Sequence, residues 1–371
     1  MALDAESNVL FATQYTGTVN LGGGVLPASG TTDMLVAKLG ANGGHVWSRQ
    51  FGGPQGQTTP IDIAVTPNGD AVITGGFSGA VAFGGSTLAT ADVSDTDGFL
   101  VRLSGEDGSH VYSVRIGDRA GDPPGYQAGK GVGVDAMGHA VVAGTFKNSI
   151  EFGPGQTHAS ARMGQSGWVA KFDANGVPLW NTAFIHGDGS TVDIAGVDVD
   201  AAGNSGIVGS FSGAVTFQGT NNGVNVPRRT TGADDDDLFV VRLSSTGSHL
   251  WSKQFGDATA QLGGEPLLGV ALDSEGELVF AGGFRGTVDF GGGELTASDY
   301  DWLIAKFDAS GAHRWSHRYG GAAAAQIATS AAIHEQTRGI VVAGISDGAL
   351  DVTDPPLMMD NLSVVVARMS P

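Results

Sequence analysis

Short apolar runs, β-branched or aromatic and bounded by Gly, Asn, Asp or Ser, recur along the whole chain, with hydrophobic positions close to every second residue. Segments such as Ala140–Thr145 (AVVAGT), Leu238–Leu243 (LFVVRL) and Leu278–Gly282 (LVFAG) have the length and composition of strands. Four kinds follow one another in a fixed order. Strand A is a Gly/Ala/Val piece such as Gly131–Asp135, strand B is Ala140–Phe146, strand C is Trp168–Phe172 and strand D is Leu179–Phe184. The A–B joints (Asn68-Gly69, Met137-Gly138, Ala202-Gly203, Glu275-Gly276) and the C–D joints (Asn42-Gly43, Asp107-Gly108, Asn175-Gly176, Thr246-Gly247, Ser310-Gly311) place glycine where a hairpin needs positive φ. Each unit is therefore expected to be an antiparallel four-stranded sheet.

The units repeat. A basic residue falls at one phase of strand C six times, as Lys38, Arg102, Lys171, Arg242, Lys306 and Arg368, at spacings of 64, 69, 71, 64 and 62 residues. A period this long repeats a whole supersecondary unit, and four-stranded sheets without intervening helices close most naturally around an axis. The expected fold class is all-β: a six-bladed β-propeller of four-stranded antiparallel blades, forming one domain over residues 1–371. Gly133, Gly196 and Gly269 suit a crowded inner strand A, and Trp47, Tyr112, Trp180, Trp251 and Trp315 suit a wider outer strand D. A stacked β-solenoid competes, but its coils are usually much shorter.

At the start, MALDAESNVLFA aligns with VALDSEGELVFA and supplies the first strand A. The closing VVVARM supplies a sixth strand C with no strand D after it. The expectation is that the last blade lacks its outer strand and that the chain is part of a longer one; the alternative is a three-stranded final blade. Ser363–Met369 then has a free edge for pairing with another chain.

Composition narrows the function classes. With 19 basic and 38 acidic residues the net charge is −19, which opposes phosphate backbones and anionic headgroups, so no nucleic-acid partner is expected. No apolar run approaches membrane-spanning length, so membrane insertion is not expected. The absence of cysteine excludes disulfides, thiolate metal sites and cysteine nucleophiles.

Residues that recur in phase are assigned to the scaffold first. An Asp stands five residues before the strand C basic residue at Asp33, Asp97, Asp237 and Asp301, which predicts a structural ion pair or hydrogen bond in each blade. His45, His110, His249 and His313, two residues before the strand D aromatic, are spread too evenly to form one metal cluster. Phe77, Phe146, Phe211 and Phe284, with Phe83, Phe152, Phe217 and Phe290 six residues later, are packing residues.

What remains gathers in the B–C and D–A connections, read as long, unequal loops on one face, where recognition usually resides. The candidate ligand contacts there are Tyr126, His186, Asp188, Arg228 and Tyr300. The run Asp234, Asp235, Asp236 and Asp237 is the candidate metal site, with calcium as the expected ion because hard carboxylate oxygens are the only plentiful donors. Asp92, Asp95 and Asp97 form a second local acidic group, and neither group has EF-hand spacing. No nucleophile elbow, zinc-binding His pair or phosphate loop is present.

Gly-x-Phe-x-Gly, then Phe-Gly-Gly, then Asp-x-Phe-Val-x-Lys-x-Asp-x-x-Gly and Trp-x-x-x-Phe-Gly-Gly, visible at Gly76–Gly85, Asp97–Leu103, Lys171–Trp180 and Trp251–Gly256, resemble the SBBP-type bacterial β-propeller repeat family. The last copy departs at Ile345 and Asp347, and Ser166 and Ser363 replace the repeat Asp. The resemblance implies a secreted or surface-exposed bacterial protein, and the family name suggests seven blades where this chain has six. The function expected is a non-enzymatic binding or scaffold module with a carbohydrate or protein partner and no cofactor beyond calcium. A purely structural adhesion or assembly part is the alternative. KFDANGVPLW and KFDASGAHRW also resemble the docking motif of quinoprotein propellers, an enzymatic reading that six copies and no cysteine pair disfavour.

Overall fold

The computed structural model describes residues 1–53, 56–92, 94–118, 122–153, 156–160, 164–186, 190–217, 226–229, 236–256, 268–321, 326–334, 337–348, 350–352, 357 and 361–369. These are strands and turns without helix. The fold is an all-β one of six β-propeller blades. Two compact units divide the chain, Met1–Ala183 and Phe184–Pro371.

In the first unit, blade 1 is built from Ala2–Leu3, Val9–Tyr15, Asp33–Leu39 and His45–Phe51 as strands A to D. Blade 2 uses Gln57–Val65, Ala71–Ser78, Asp97–Leu103 and His110–Ile116. Blade 3 uses Tyr126–Val134, Ala140–Lys147, Ser166–Phe172 and Pro178–His186, the last of which crosses into the second unit. The second unit holds blade 4 (Thr191–Val199, Ser205–Ser212, Asp236–Leu243, His249–Phe255) and blade 5 (Leu268–Leu272, Leu278–Asp289, Glu294–Phe307, His313–Tyr319). Among the described residues blade 6 has three strands, Gln326–Ile333, Ile340–Ser346 and Ser363–Met369. Its strand C pairs with strand B on one side, and Val364 and Val366 are 78% and 67% exposed.

Strand order follows from turn chemistry. The A–B turn glycines Gly69, Gly138, Gly203 and Gly276 and the C–D turn glycines Gly43, Gly108, Gly176, Gly247 and Gly311 all have φ between 73° and 88°. Strands B and C then run in full register, as in Val72↔Arg102 and Val141↔Lys171, and both are almost wholly buried. Inside each unit the bulky strand D residues pack onto the C–D turn of the next blade. Trp47 of strand D lies against Gly108 and donates its Nε1–H to the Gly105 carbonyl at 3.2 Å, and Trp251 does the same to Ala309 at 3.0 Å over Gly311.

The B–C connections are not the open loops expected. Those of blades 1 to 4 hold a two-stranded ribbon, Thr18–Asn20 with Val25–Pro27 in blade 1, Ala80–Val81 with Leu88–Ala89 in blade 2, Ser149–Glu151 with Thr157–Ala159 in blade 3 and Ala214–Phe217 with Val226–Arg229 in blade 4. In blade 5 strands B and C simply lengthen into the ribbon. In blades 2 and 5 the phenylalanine six residues after the strand B one helps: Phe83 and Phe290 pack their rings 5.4 and 4.6 Å from Phe51 and Phe255 of strand D, folding the ribbon over its own blade. The ribbon-tip glycines Gly22, Gly84 and Gly291 sit on His45, His110 and His313, whose Nε2 atoms bond the Ser48, Ser113 and Ser316 hydroxyls at 3.0–3.1 Å.

The partners expected for the strand C basic residues also need correction. Lys38, Arg102, Lys171, Arg242 and Lys306 bond carboxylates of their own A–B turn, namely Asp4, Asp70, Asp135, Asp200 and Glu277, at 2.9–3.0 Å. The Asp five residues earlier points the other way along strand C. There Asp33, Asp97, Asp237 and Asp301 pair across to strand D with Gln50, Arg115, Gln254 and Arg318. Where blade 3 carries Ser166 in place of Asp, strand D carries Ala183 in place of the partner. A strand spaces five residues about 16 Å apart, too far for the two charges to meet.

Candidate functional site

Blade 2 elaborates the strand C aspartate into a cluster. Asp97 opens strand C, Asp95 precedes it in the B–C connection, and Asp118 follows strand D. One carboxylate oxygen from each lies within 4.8 Å of the others, and the three residues are 0–1% exposed. Arg115 bridges two of them, through Nε to Asp97 at 2.5 Å and through an Nη to Asp118 at 2.6 Å. Gly117 permits this closeness, since a Cβ there would stand 2.2 Å from Asp97 Oδ1.

Three charges face one guanidinium. Burial pushes the Asp97 carboxyl up to about 6 even with Arg115 beside it, and burial together with the Asp118 charge raises Asp95 despite the hydrogen bond from the Gly125 N–H. Arg115 is held above its ordinary range by Asp97 and Asp118, although burial opposes its charge. Asp95 Oδ2, Asp97 Oδ1 and Asp118 Oδ2 are buried without a hydrogen-bond partner. Blade 1 is the internal contrast: Asp33 receives the Ser29 N–H at 2.6 Å, the Ser29 hydroxyl at 3.0 Å, the Gly30 N–H at 3.1 Å and Gln50. Among the described residues this is the one cluster whose acids could share a metal ion.

Beside it a pocket of about 230 Å³ opens between the first strands of blades 2 and 3. Gln57, Thr59, Ser78 and Thr96 line it with amide and hydroxyl groups, and Ile61, Phe77 and Tyr126 give it apolar walls. The pocket and the acid cluster share backbone: Thr96 bridges Tyr126 as a parallel pair, the Gln127 N–H donates to the Thr96 carbonyl at 2.8 Å, and the Gly125 N–H donates to Asp95 Oδ1 at 2.9 Å. Gln127 is fully buried and its Nε2 donates to the Ser149 carbonyl at 2.8 Å, which anchors this start of strand A to the blade 3 ribbon.

The sequence candidates scatter. Tyr126 lies in the pocket, on strand A rather than in a loop. Tyr300 lies on the lengthened strand C of blade 5, in the second unit, under the Arg285 guanidinium at 5.6 Å from the ring centre. His186 pairs by backbone with Val215, and Arg228 sits in the ribbon partner of the same residue. Asp188, Asp234 and Asp235 fall outside the described residues. Asp237 is a repeat position, fully buried against Gln254, and is therefore a scaffold residue. Asp236 precedes it on strand C. Sequence reasoning grouped Asp95 with Asp97 but joined neither to Asp118 nor to Arg115. The signal was present in the repeat: Ile-Gly-Asp at 116–118 stands where blade 1 has Phe-Gly-Gly.

No family model matches the chain, and no curated protein matches it. Among solved structures, BamB from Moraxella catarrhalis superposes over 98% of this chain and 89% of its own, with 14% identity and a TM-score of 0.34. Quinohemoprotein alcohol dehydrogenase from Comamonas testosteroni matches over 93% and 74%, with 10% identity and a TM-score of 0.37. A eukaryotic initiation factor matches over 99% and 78%, with 11% identity and a TM-score of 0.33. These proteins differ widely in kind, and at such identities no reaction, ligand or partner is taken from them.

Proposed function

We propose that this chain is a non-enzymatic binding module, exposed outside the bacterial cell, that holds carbohydrate in the pocket beside Tyr126. The observation that carries this reading is the lining itself. Amide and hydroxyl groups of Gln57, Thr59, Ser78 and Thr96 face a ring and two apolar side chains, the combination that hydrogen-bonds sugar hydroxyls and covers a pyranose face. A volume of about 230 Å³ accommodates one sugar residue of a longer chain. A glycan array probed with the full chain is expected to give a defined set of binders, and Tyr126→Ala should weaken the best of them at least ~10-fold, the loss of about 1.4 kcal/mol. An array without binders, or unchanged affinity in Tyr126→Ala, contradicts the reading.

A second reading, assembly through the edge of blade 6, is favoured by the outward Val364 and Val366 on Ser363–Met369. A strand of a second copy adding to this edge would cover both. Sedimentation should then show association that rises with concentration and is abolished by Val364→Lys with Val366→Lys. A wild-type protein that stays monomeric across the range counts against it.

A further inference from the structure

We propose that Asp95, Asp97 and Asp118 form a calcium site that ties the B–C and D–A connections of blade 2 together. Three features converge on a divalent cation. Three carboxylates against the single Arg115 guanidinium leave two negative charges, the amount that one such ion neutralises. Each carboxylate keeps one buried oxygen with no hydrogen-bond partner; Asp33, the blade 1 equivalent of Asp97, is fully satisfied, and Asp301 of blade 5 leaves one such oxygen but has no second and third acid converging on it. Oxygens sharing one calcium at about 2.3–2.6 Å can be no more than about 4.6–5.2 Å apart, and one oxygen of each acid lies within 4.8 Å of the others.

Buried oxygens left without partners cost free energy that blade 1 avoids, and a bound ion removes the cost. Calcium fits better than magnesium because it accepts irregular, largely dehydrated oxygen sets, whereas magnesium demands near-octahedral geometry and keeps its waters. Zinc is disfavoured by the absence of nitrogen and sulfur donors among the three. The role is structural: Asp95 belongs to the connection entering strand C, Asp118 to the one leaving strand D, and the Gly125 N–H bond to Asp95 carries the restraint to Tyr126. The site stands independently of any sugar ligand.

The test uses the full chain stripped with chelator and titrated calorimetrically with calcium chloride alone. The expected result is one tight site in this cluster and a melting temperature that rises with calcium concentration but not with equal magnesium. Asp118→Gly installs the residue that blades 1 and 5 carry at this position, Gly53 and Gly321, where blade 4 has Asp257, so the blade should fold while the calcium response is lost. Asp33→Asn, at the equivalent saturated position of blade 1, should leave it intact. Absence of calcium binding up to about 10 mM, an unchanged response in Asp118→Gly, or an equal response to magnesium would each overturn the proposal.

Discussion

Asp135→Ala should destabilise the first unit by about 3–5 kcal/mol, the usual cost of stripping one partner from a buried ion pair. Asp135 is 2% exposed, and its carboxylate holds Lys171 Nζ at 2.9 Å together with the Met137 and His139 N–H groups at 2.9 Å. The alanine leaves a buried ammonium and two turn N–H groups without acceptors. A urea transition shifted to lower midpoint with little change in slope is the expected readout. Asp135→Asn combined with Lys171→Met should recover much of the loss, because removing both charges leaves nothing uncompensated. Burial alone would raise the Asp135 carboxyl, but hydrogen bonds from Lys171 and the His139 backbone hold it below the ordinary aspartate value. A lowered folded value means its contribution is complete above about pH 4 and fades as pH falls toward the folded value, so the gap between wild type and variant should narrow in acid. A loss under about 1 kcal/mol, typical of a surface site, would refute the assignment.

The second large effect is expected at Gly144 of strand B. Strand A of blade 3 carries a bulge between Gly129 and Gly131, and a Cβ on Gly144 would stand 2.0 Å from the Ala128 carbonyl oxygen and 2.8 Å from the fully buried Trp168 ring. Backbone on one side and a packed indole on the other leave no room to adjust. The same approach recurs where Gly75, Gly209 and Gly344 face Thr59, Asp193 and Ile327 carbonyls at 2.0–2.3 Å beside bulges of their own strand A. Gly144→Ala should therefore cost at least the ~3 kcal/mol at the upper end of overpacking. Gly43→Ala, in a C–D turn with φ 79° and open space around it, should cost only the ~1–2 kcal/mol of a left-handed alanine. Equal urea midpoints for the two variants would dismiss the steric account.

These two sites also mark how far the sequence could be read. Blade number, strand order and turn positions were legible because the same local chemistry, glycine at positive φ between β-branched runs, is written repeatedly. The ion-pair partners were not, because the turn acid shifts register: Asp4, Asp135 and Asp200 open the A–B turn, whereas Asp70 and Glu277 close it. Both positions reach the strand C base, so the partner is fixed by hairpin geometry and not by a constant spacing. The ribbons were hidden for a related reason. Their strands are two to four residues long, too short for any hydrophobic period, and packing that only three dimensions show, such as Phe83 on Phe51 in blade 2, helps to hold them. The acid cluster needed three dimensions altogether. Asp95 and Asp97 are neighbours in sequence, but Asp118 and Arg115 arrive from strand D, and only the paired Ile-Gly-Asp substitution hinted at it.

Hydrogen–deuterium exchange of the full chain, with and without its tightest-binding oligosaccharide, reads out whether ligand sits at the B–C and D–A ends of blades 2 and 3. New protection is expected only at residues 57–61, 76–78, 94–97 and 125–128, with the short turns at 66–70 and 104–109 unchanged. Protection of those short turns, with the Tyr126 segment unaffected, would contradict that placement.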